Sequence, residues 1–363
     1  MIAVFGYAFP HRKTQDFLTE LFLAGERNVI VLAAPPIALP SVDRASYWPA
    51  TLRPVPTLDT ALVAKRLGYE CRIIPHNKEA AVAARDAGTT LGIVAGARIL
   101  KREVIDAFEE GIVNFHPGPI PQTSGLNAFF YTIKSGANAG VTTHYIDPRV
   151  DAGERTAFHP VRVGPSDTPE AVVENTYRMQ MPALRQFLTD RKAGALVREA
   201  VDRPRANSPM SPEEKVAVLE LFPHWRASRS RAFATADLHE ACRRGDTAAV
   251  ETILSRDPDL IEARTPEGWT PLILAVHGAH KPLAETLLGR GADPNATGRN
   301  GTTVLMYAKT HLVGHERPDL SLLDRLIEAG ADPSRHDKFG RQLIDYVRND
   351  EVIYHYFLQI KHQ

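Results

Sequence analysis

Two side chains near the middle of the chain have the types and the spacing that acyl transfer needs. Asn114 and His116 end a short β-branched run, Ile112-Val113, and a Pro/Gly cluster follows them. Because residues two apart in a strand point to the same side, the amide and the imidazole are expected to converge at the strand's carboxyl end, where open α/β sheets bind ligands. A hydrogen-bond donor beside a group that titrates near neutral pH suits a reaction in which charge develops on a carbonyl oxygen. Taken alone, the pair favours a strand end with two polar residues capping a turn.

The segments that follow reverse this interpretation. The sequence predicts a helix closed by a glycine over Ser124–Gly136, then a strand over Ala139–Asp147, then a loop that carries Asp151, 35 positions beyond His116. This order resembles the tetrahydrofolate-dependent formyltransferase family, whose pattern is Asn-x-His-Pro, a helix, Gly-Val-Thr-x-His and Asp-x-Gly. Three spaced elements in one order are a more specific signal than one short motif.

The resemblance implies that a formyl group moves from 10-formyltetrahydrofolate, the co-substrate, to a primary amine. On the matching positions, Asn114 would donate to the developing oxyanion, and His116 would stabilise that charge and help to move the proton of the attacking amine. Asp151 would orient His116. His116→Ala is therefore expected to impair catalysis much more than folding.

The resemblance also implies the residues that bind the two substrates. The loop after the fourth predicted strand would hold the pterin with backbone groups, and its residues are Gly96, Ala97, Arg98, Ile99 and Leu100. Ser124, Gly125 and His144 are predicted to line the acceptor side. The family often has Arg-Gly where this chain has Ser124-Gly125. The resemblance therefore implies the type of reaction but does not identify the acceptor.

Length and composition limit the class of protein. The 363 residues suffice for two or three domains, and Lys+Arg and Asp+Glu are both 43, which argues against a nucleic-acid partner and against initiator tRNA in particular. The only cysteines, Cys71 and Cys242, lack metal-ligand spacing and predict a reducing compartment and no metal site. Without a run of 18 apolar residues or a basic leader, a cytoplasmic protein with no membrane partner is expected.

Alternating apolar strands and helical segments predict an α/β fold with a mostly parallel, Rossmann-like sheet. The apolar runs Ile2–Tyr7, Asn28–Leu32, Cys71–Ile74 and Leu91–Ala95 are typical of strands buried on both faces. The proline-rich stretch Pro40–Pro56 is expected to be a long loop near the acceptor site.

The C-terminal third of the sequence repeats itself. Gly268-Trp269-Thr270-Pro271-Leu272 recurs 33 residues later as Gly301-Thr302-Thr303-Val304-Leu305. This period, with the Thr-Pro-Leu and Gly-Ala-Asp-Pro motifs, resembles ankyrin repeats, whose turn-helix-helix units bury their apolar faces only against their neighbours. Trp269, expected at an exposed turn, is predicted to contact substrate, and the alternative is that it seals a contact between repeats.

These patterns divide the chain into three parts. Residues 1–205 are assigned to the formyltransferase domain, 206–233 to a linker and peripheral helix, and 234–363 to an all-α ankyrin repeat domain. About three to four repeats are near the minimum stable length. The array is therefore expected to dock on the catalytic domain or to form a homodimer. The array is also a candidate surface for a ligand or a protein.

The identity of the acceptor rests on family analogy. Ankyrin-bearing members resemble sugar N-formyltransferases, so the preferred acceptor is the primary amine of a nucleotide-linked amino sugar. One alternative is a formyltransferase acting on another small-molecule amine. The other is an inactive formyltransferase-like protein whose ankyrin array serves interaction; the presence of Asn114, His116 and Asp151 together argues against it.

Overall fold

The chain folds into two compact units. The computed structural model describes residues 1–37, 56–149, 151, 153–202, 206–313 and 318–360, and the units span residues 1–230 and 231–363. All but the last residue of the proline-rich stretch Pro40–Pro56 lies outside the described residues. The predicted boundaries at residues 205 and 234 stay predictions.

The first unit is built on one eight-stranded sheet in the order β3-β2-β1-β4-β5-β6-β7-β8. The pairs from β3 to β5 are parallel, and the pairs from β5 to β8 are antiparallel. The predicted α/β class with a mostly parallel sheet is confirmed. The strands are β1 (Ile2–Tyr7), β2 (Val29–Ala34), β3 (Glu70–Ile73), β4 (Leu91–Val94), β5 (Gly111–His116), β6 (Gly140–Tyr145), β7 (Glu154–Pro160) and β8 (Glu199–Ala200).

Helices cover both faces of this sheet, which is why its central strands are apolar throughout. On one face Phe17 of the first helix packs edge-on against Phe115 of β5, and on the other Phe5 of β1 packs against Phe108. The helices of this unit are α1 (Arg12–Leu23), α2 (Thr60–Leu67), α3 (Lys78–Asp86), α4 (Arg102–Ile105), α5 (Ala128–Lys134), α6 (Pro169–Lys192) and α7 (Pro212–Glu220). Helix α8 (Phe222–Arg244) contains the boundary between the units.

The strand order creates a crevice at one point of the sheet. β1 is followed along the chain by β2 on one side, whereas β4 lies on its other side and is followed by β5. The connections after β1 and β4 therefore leave the sheet in opposite directions, and ligands of open α/β sheets bind in the gap that such a reversal leaves at the strands' carboxyl ends.

Helix α5 is shorter than the sequence predicts. It begins at Ala128, not at Ser124, because the backbone before it is not helical: Gly125 has φ 97° and Asn127 has φ 64°. Gly125 also bridges to Asn207. This long-range contact and these backbone conformations override the helical composition of Ser124–Gly136.

The second unit consists of paired short helices, as predicted for ankyrin repeats. Thr270 and Thr303, which are 33 residues apart, cap α10 and α12 by accepting from the N–H groups of Ile273 and Met306. One buried apolar cluster runs from Leu238 to Phe357. The helices are α9 (Thr247–Arg256), α10 (Pro271–His277), α11 (Lys281–Gly289), α12 (Val304–Ala308), α13 (Ser321–Glu328), α14 (Leu343–Tyr346) and α15 (Glu351–Ile360).

None of the helices in the described ranges is both long and apolar enough to span a membrane.

Candidate active site

A cavity of about 380 Å³ opens at the crevice between β1 and β4. It is bounded by the segment after β1, the loop after β4, the end of β5 and the loop after β6. Its walls include both apolar side chains and amide, carboxylate and cationic groups. The lining residues that matter for chemistry are Tyr7, His11, Lys13, Gly96, Arg98, Asn114, Asp147, Arg149 and Asp151.

The side-chain amide of Asn114, near the carboxyl end of β5, lines this cavity. Its neighbour Phe115 points to the opposite face and is fully buried, as the strand alternation predicts. The Nδ2 atom of Asn114 lies 3.3 Å from Nε2 of His144, which sits opposite it on β6. His144 is fully buried, so it contacts the Asn114 amide on the side away from the cavity. Contact of His144 with a substrate stays a prediction.

Asp151 reaches the cavity from the loop after β6. Its backbone has φ 46°, a left-handed conformation that Asp tolerates better than most residues. The carboxylate accepts from the Gly125 N–H through Oδ2 at 2.8 Å, and Oδ2 also lies 3.3 Å from Nδ1 of His116. The Ser124 hydroxyl donates to the carbonyl oxygen of Asp151 at 2.9 Å. Both ends of this residue are thus fixed.

These contacts keep Asp151 ionised. Burial by itself would raise the pKa of its carboxyl, but the hydrogen bond and the charge of His116, the Gly125 N–H and the charge of His144 together lower that pKa to about 2. A carboxylate with so low a pKa is a stable negative charge at the cavity wall. It is also a weak proton acceptor.

His116 lies behind Asp151 and is not one of the residues that line the cavity. Its ring is buried, and Nε2 lies 3.0 Å from the carbonyl oxygen of Thr123 and 3.1 Å from the Thr123 hydroxyl. Because a carbonyl oxygen only accepts, Nε2 carries the hydrogen when that bond forms. Both ring nitrogens therefore face protein groups, and the geometry suits a residue that acts through Asp151.

The loop Gly96–Leu100 borders the same cavity as Asn114 and Asp151, so the structure brings these predicted residues together. A Cβ added at Gly96 would lie 2.9 Å from His11 and 3.0 Å from Tyr7, so the close approach of the two loops requires glycine there. Arg98 and Ile99 are exposed, whereas Leu100 is mostly packed in the core.

Ser124 and Gly125 lie on the Asp151 side of this arrangement, where they hold the loop in place. Ser124 is fully buried, and a Cβ at Gly125 would approach the carbonyl oxygen of Asn207 to 3.0 Å. Substrate contact by these two residues stays a prediction.

Trp269 belongs to the second unit and is partly buried, not fully exposed as expected. Its ring centroid lies 4.8 Å from that of His277 and 5.1 Å from that of Tyr307. The contact with Tyr307, which belongs to the next repeat, fits the sealing role. Contact of Trp269 with substrate stays a prediction.

Three further residues at the end of β1 and the start of α1 were not predicted to belong to the site. Tyr7, His11 and Lys13 all line the cavity, and His11 caps α1 by accepting from the Thr14 N–H through Nδ1. Burial and the charge of Lys13 lower the pKa of His11, and Asp16 opposes them. The signal was available, because alternating β and α elements place the ends of β1 and β4 side by side at the reversal of strand order.

Within the part of the chain that the structure describes, no group of three His, Cys, Asp or Glu residues is placed to hold a metal ion.

Comparison with known proteins identifies two family models in this chain. Residues 60–188 match the model of the formyl transferase family, and residues 238–337 match that of ankyrin repeats in three copies. The resemblance inferred from Asn114, His116 and Asp151, and that inferred from the 33-residue period, are both confirmed.

Two formyltransferases share sequence with part of this chain. A methionyl-tRNA formyltransferase of Chromobacterium violaceum is 28% identical over 153 residues, which are 42% of this chain and 48% of that enzyme. A phosphoribosylglycinamide formyltransferase of Bacillus subtilis is 26% identical over 84 residues, 23% of this chain and 43% of that enzyme. The chain thus spans about half the length of these relatives.

A crystal structure of a sugar N-formyltransferase from a Shewanella species superimposes with a TM-score of 0.42 and 14% identity, over 61% of this chain and 87% of that one.

Proposed function

We propose that the first unit transfers a formyl group from 10-formyltetrahydrofolate to the primary amine of a small molecule. The observation that carries this proposal is the single cavity that joins Asn114 and Asp151 to the loop Gly96–Leu100, in a segment that matches the formyl transferase family. When bound, the folate supplies the activated formyl carbon.

The cavity has the size and the walls that such a co-substrate needs. Its volume of about 380 Å³ falls within the range of small-molecule sites, which are mainly apolar with a few placed polar groups. Val94, Ile99 and Ile146 supply apolar surface for a flat ring, and the Gly96–Leu100 backbone supplies donors and acceptors for its edge.

Asn114 is proposed to stabilise the oxygen of the formyl group as negative charge develops on it. When Nε2 of His144 carries no hydrogen, it accepts one of the two amide hydrogens of Asn114, and the other can point into the cavity. Because His144 fixes the amide before substrate binds, little reorganisation is needed, and removal of one such donor costs about 10²–10³ in turnover.

Asp151 is proposed to hold the attacking amine by accepting a hydrogen bond from it. His116 and Gly125 keep its carboxylate ionised and aimed at the cavity. His116 is therefore a positioning residue in this proposal, and its loss is expected to weaken catalysis through Asp151.

For the acceptor we propose a nucleotide-linked amino sugar first, and another small-molecule amine as the second candidate. The first is supported by the ankyrin fusion and by charge: Arg98 is exposed at the cavity and forms no ion pair with any described residue. A guanidinium in that position suits a phosphate group. The ankyrin array as a binding surface, a homodimer and a cytoplasmic location also stay proposals.

The test is the release of tetrahydrofolate from 10-formyltetrahydrofolate by the purified full chain, with a panel of nucleotide-linked amino sugars, free amino sugars and other amines. Amine-dependent release is expected, and mass spectrometry of the product identifies the acceptor. Asn114→Ala should lower the rate about 10²–10³-fold, whereas Asn138→Ala, on the surface of the same unit, should not. No release with any amine and no binding of the folate would leave the interaction-protein hypothesis in its place.

A further inference from the structure

The loop that follows β5 folds back and places Thr123 against the imidazole of His116. Nε2 of His116 lies 3.0 Å from the carbonyl oxygen of Thr123 and 3.1 Å from its hydroxyl oxygen, and both residues are buried. The hydroxyl donates its own hydrogen to the carbonyl oxygen of Pro119 at 3.0 Å. Because that hydrogen is engaged, the hydroxyl oxygen accepts towards His116, as the carbonyl oxygen does. Two oxygens of one residue therefore bind the same N–H group.

The position of Thr123 is fixed by the loop to which it belongs. Its backbone N–H donates to the Pro119 carbonyl oxygen at 3.0 Å, so the same oxygen accepts from both its amide and its hydroxyl. Thr142 of β6 holds the start of the loop by donating to the carbonyl oxygen of Gly118 at 2.6 Å and by accepting from the N–H of Ile120 at 3.2 Å. A Cβ at Gly118 would collide with the Thr123 hydroxyl, so this packing requires glycine there. The hydroxyl is thus positioned without any bound substrate.

The contacts of Thr123 bear on the site through the orientation of the His116 ring. The other ring nitrogen, Nδ1, lies 3.3 Å from Oδ2 of Asp151, and Asp151 lines the cavity. A half turn about the Cβ–Cγ bond of His116 would replace Nδ1 by a ring carbon and end the contact with Asp151. An acceptor at Nε2 opposes that turn, because the hydrogen bond of one ring nitrogen determines how the other is presented.

We propose that Thr123 is a positioning residue whose hydroxyl holds the His116 ring in the orientation that keeps Nδ1 against Asp151. This inference rests on the proposed formyl transfer. Thr123 is not among the residues that line the cavity, so it acts on a bound amine only through His116 and Asp151. Its hydroxyl therefore contributes to turnover, measured as kcat, and not to the binding of either substrate.

Three substitutions separate the hydroxyl of Thr123 from the volume of its side chain. Thr123→Val keeps the volume without the hydroxyl, Thr123→Ser keeps the hydroxyl without the methyl group, and Thr123→Ala keeps neither. The positioning role predicts that Thr123→Ser stays near wild type, whereas Thr123→Val and Thr123→Ala lose kcat about 10-fold, as expected for one hydrogen bond, with little change in KM. A role in packing alone predicts instead that Thr123→Val is the variant closest to wild type.

The experiment measures kcat and KM for amine-dependent tetrahydrofolate release by the full chain, with circular dichroism as the check of folding. Thr132→Val is the matched control. Thr132 is also buried, and its hydroxyl donates to the carbonyl oxygen of Ala128 within α5 at 2.9 Å. Its substitution removes a buried hydroxyl of the same unit without touching His116, so kcat and KM should both stay at the wild-type values.

A second measurement follows His116 directly, without substrate. Nuclear magnetic resonance of the chain with isotope-labelled histidine detects the Nε2 proton of His116, whose signal is identified by its loss in His116→Gln. This proton should exchange with water more slowly in wild type and Thr123→Ser than in Thr123→Val and Thr123→Ala. Equal exchange in all of these proteins, or full kcat in Thr123→Val, would overturn the positioning role and leave the proposed function in place. A wild type that releases no tetrahydrofolate with any amine would overturn the proposed function and this role with it.

Discussion

At the scale of single residues, the chemistry of the site comes from how one carboxylate is surrounded. Asp151 is held by a backbone N–H from Gly125 and by the imidazole of His116, so its charge is stable while it stays in contact with the cavity. Asn114 is fixed in the same way by His144. Asp151 and Asn114 are therefore each oriented by a buried imidazole, and such preorganisation is what makes electrostatic catalysis effective.

The low pKa of Asp151 predicts how stability depends on pH. Since the pKa of this carboxyl is about 2 in the folded chain and 3.8 in the unfolded chain, its ionised form stabilises the fold above about pH 4, and this contribution is lost as the pH falls towards 2. The difference corresponds to about 2 kcal/mol. Asp151→Asn, which also tolerates the left-handed backbone, should remove this part of the acid dependence in urea unfolding measured from pH 7 to pH 2.

The control for this measurement is Asp106→Asn, an exposed carboxylate at the end of α4. It should leave the acid part of the stability curve in place. A curve for Asp151→Asn that coincides with wild type between pH 4 and pH 2 would show that Asp151 is not held as the structure indicates.

At the scale of elements, the strands of the sheet could be predicted from the sequence, but the contacts between its loops could not. Continuous apolar runs such as Ile2–Tyr7 and Leu91–Val94 are typical of strands that are buried on both faces. The position of Asn114 and His116 at a strand end followed from the same pattern. Gly125 and Asn127 instead take backbone conformations that are set by contacts with Asp151 and the 206–210 segment, which no local pattern contains.

The same reason explains why Lys13 was missed and Asp151 was found. Asp151 belongs to a spaced motif, whereas Lys13 becomes part of the site only because α1 starts beside the loop after β4. Two-residue β8 is a similar case, since its pairing with Glu154 and Arg155 of β7 depends wholly on tertiary packing.

The ion pair that ties α1 to α6 gives the prediction that belongs to this scale. Arg12 donates to both oxygens of Glu174, at 2.9 and 2.7 Å, with both side chains 18% exposed. Burial raises the pKa of Glu174, but the hydrogen bonds from Arg12 and Arg178 outweigh it, and the Arg12 bond is the largest influence in lowering that pKa to about 2. Glu174→Gln should lower the free energy of unfolding at pH 7 by about 1–3 kcal/mol, because the buried guanidinium loses its charged partner.

Arg178 provides a matched control on the same carboxylate. It donates to Glu174 from one turn along α6, but its own side chain is 69% exposed, so Arg178→Gln should change stability by no more than about 0.5 kcal/mol. Equal losses from the two substitutions, measured by chemical denaturation, would mean that burial of the Arg12 pair contributes nothing.

At the scale of the whole molecule, the chain joins two kinds of architecture with different rules of stability. The sheet of the first unit brings together segments that are far apart in sequence, as the pairing of β1 with β4 shows. The second unit is a repeat array in which each helix pair contacts its neighbours in sequence. Its 33-residue period was recognisable without any long-range information, which is why repeat architecture could be predicted more fully than the site.

The array's short length makes a core substitution there a sensitive test. Leu272 of α10 is fully buried in the cluster that runs from Leu238 to Phe357, and Leu272→Ala should cost about 2–5 kcal/mol. Because the repeats share this one cluster, hydrogen exchange should accelerate across the whole segment and not only in α10. Val352→Ala, at a position of the same unit that is 44% exposed, should change exchange little. Faster exchange confined to Pro271–His277 would show that the repeats open independently and that the array lacks the cooperativity expected of a continuous core.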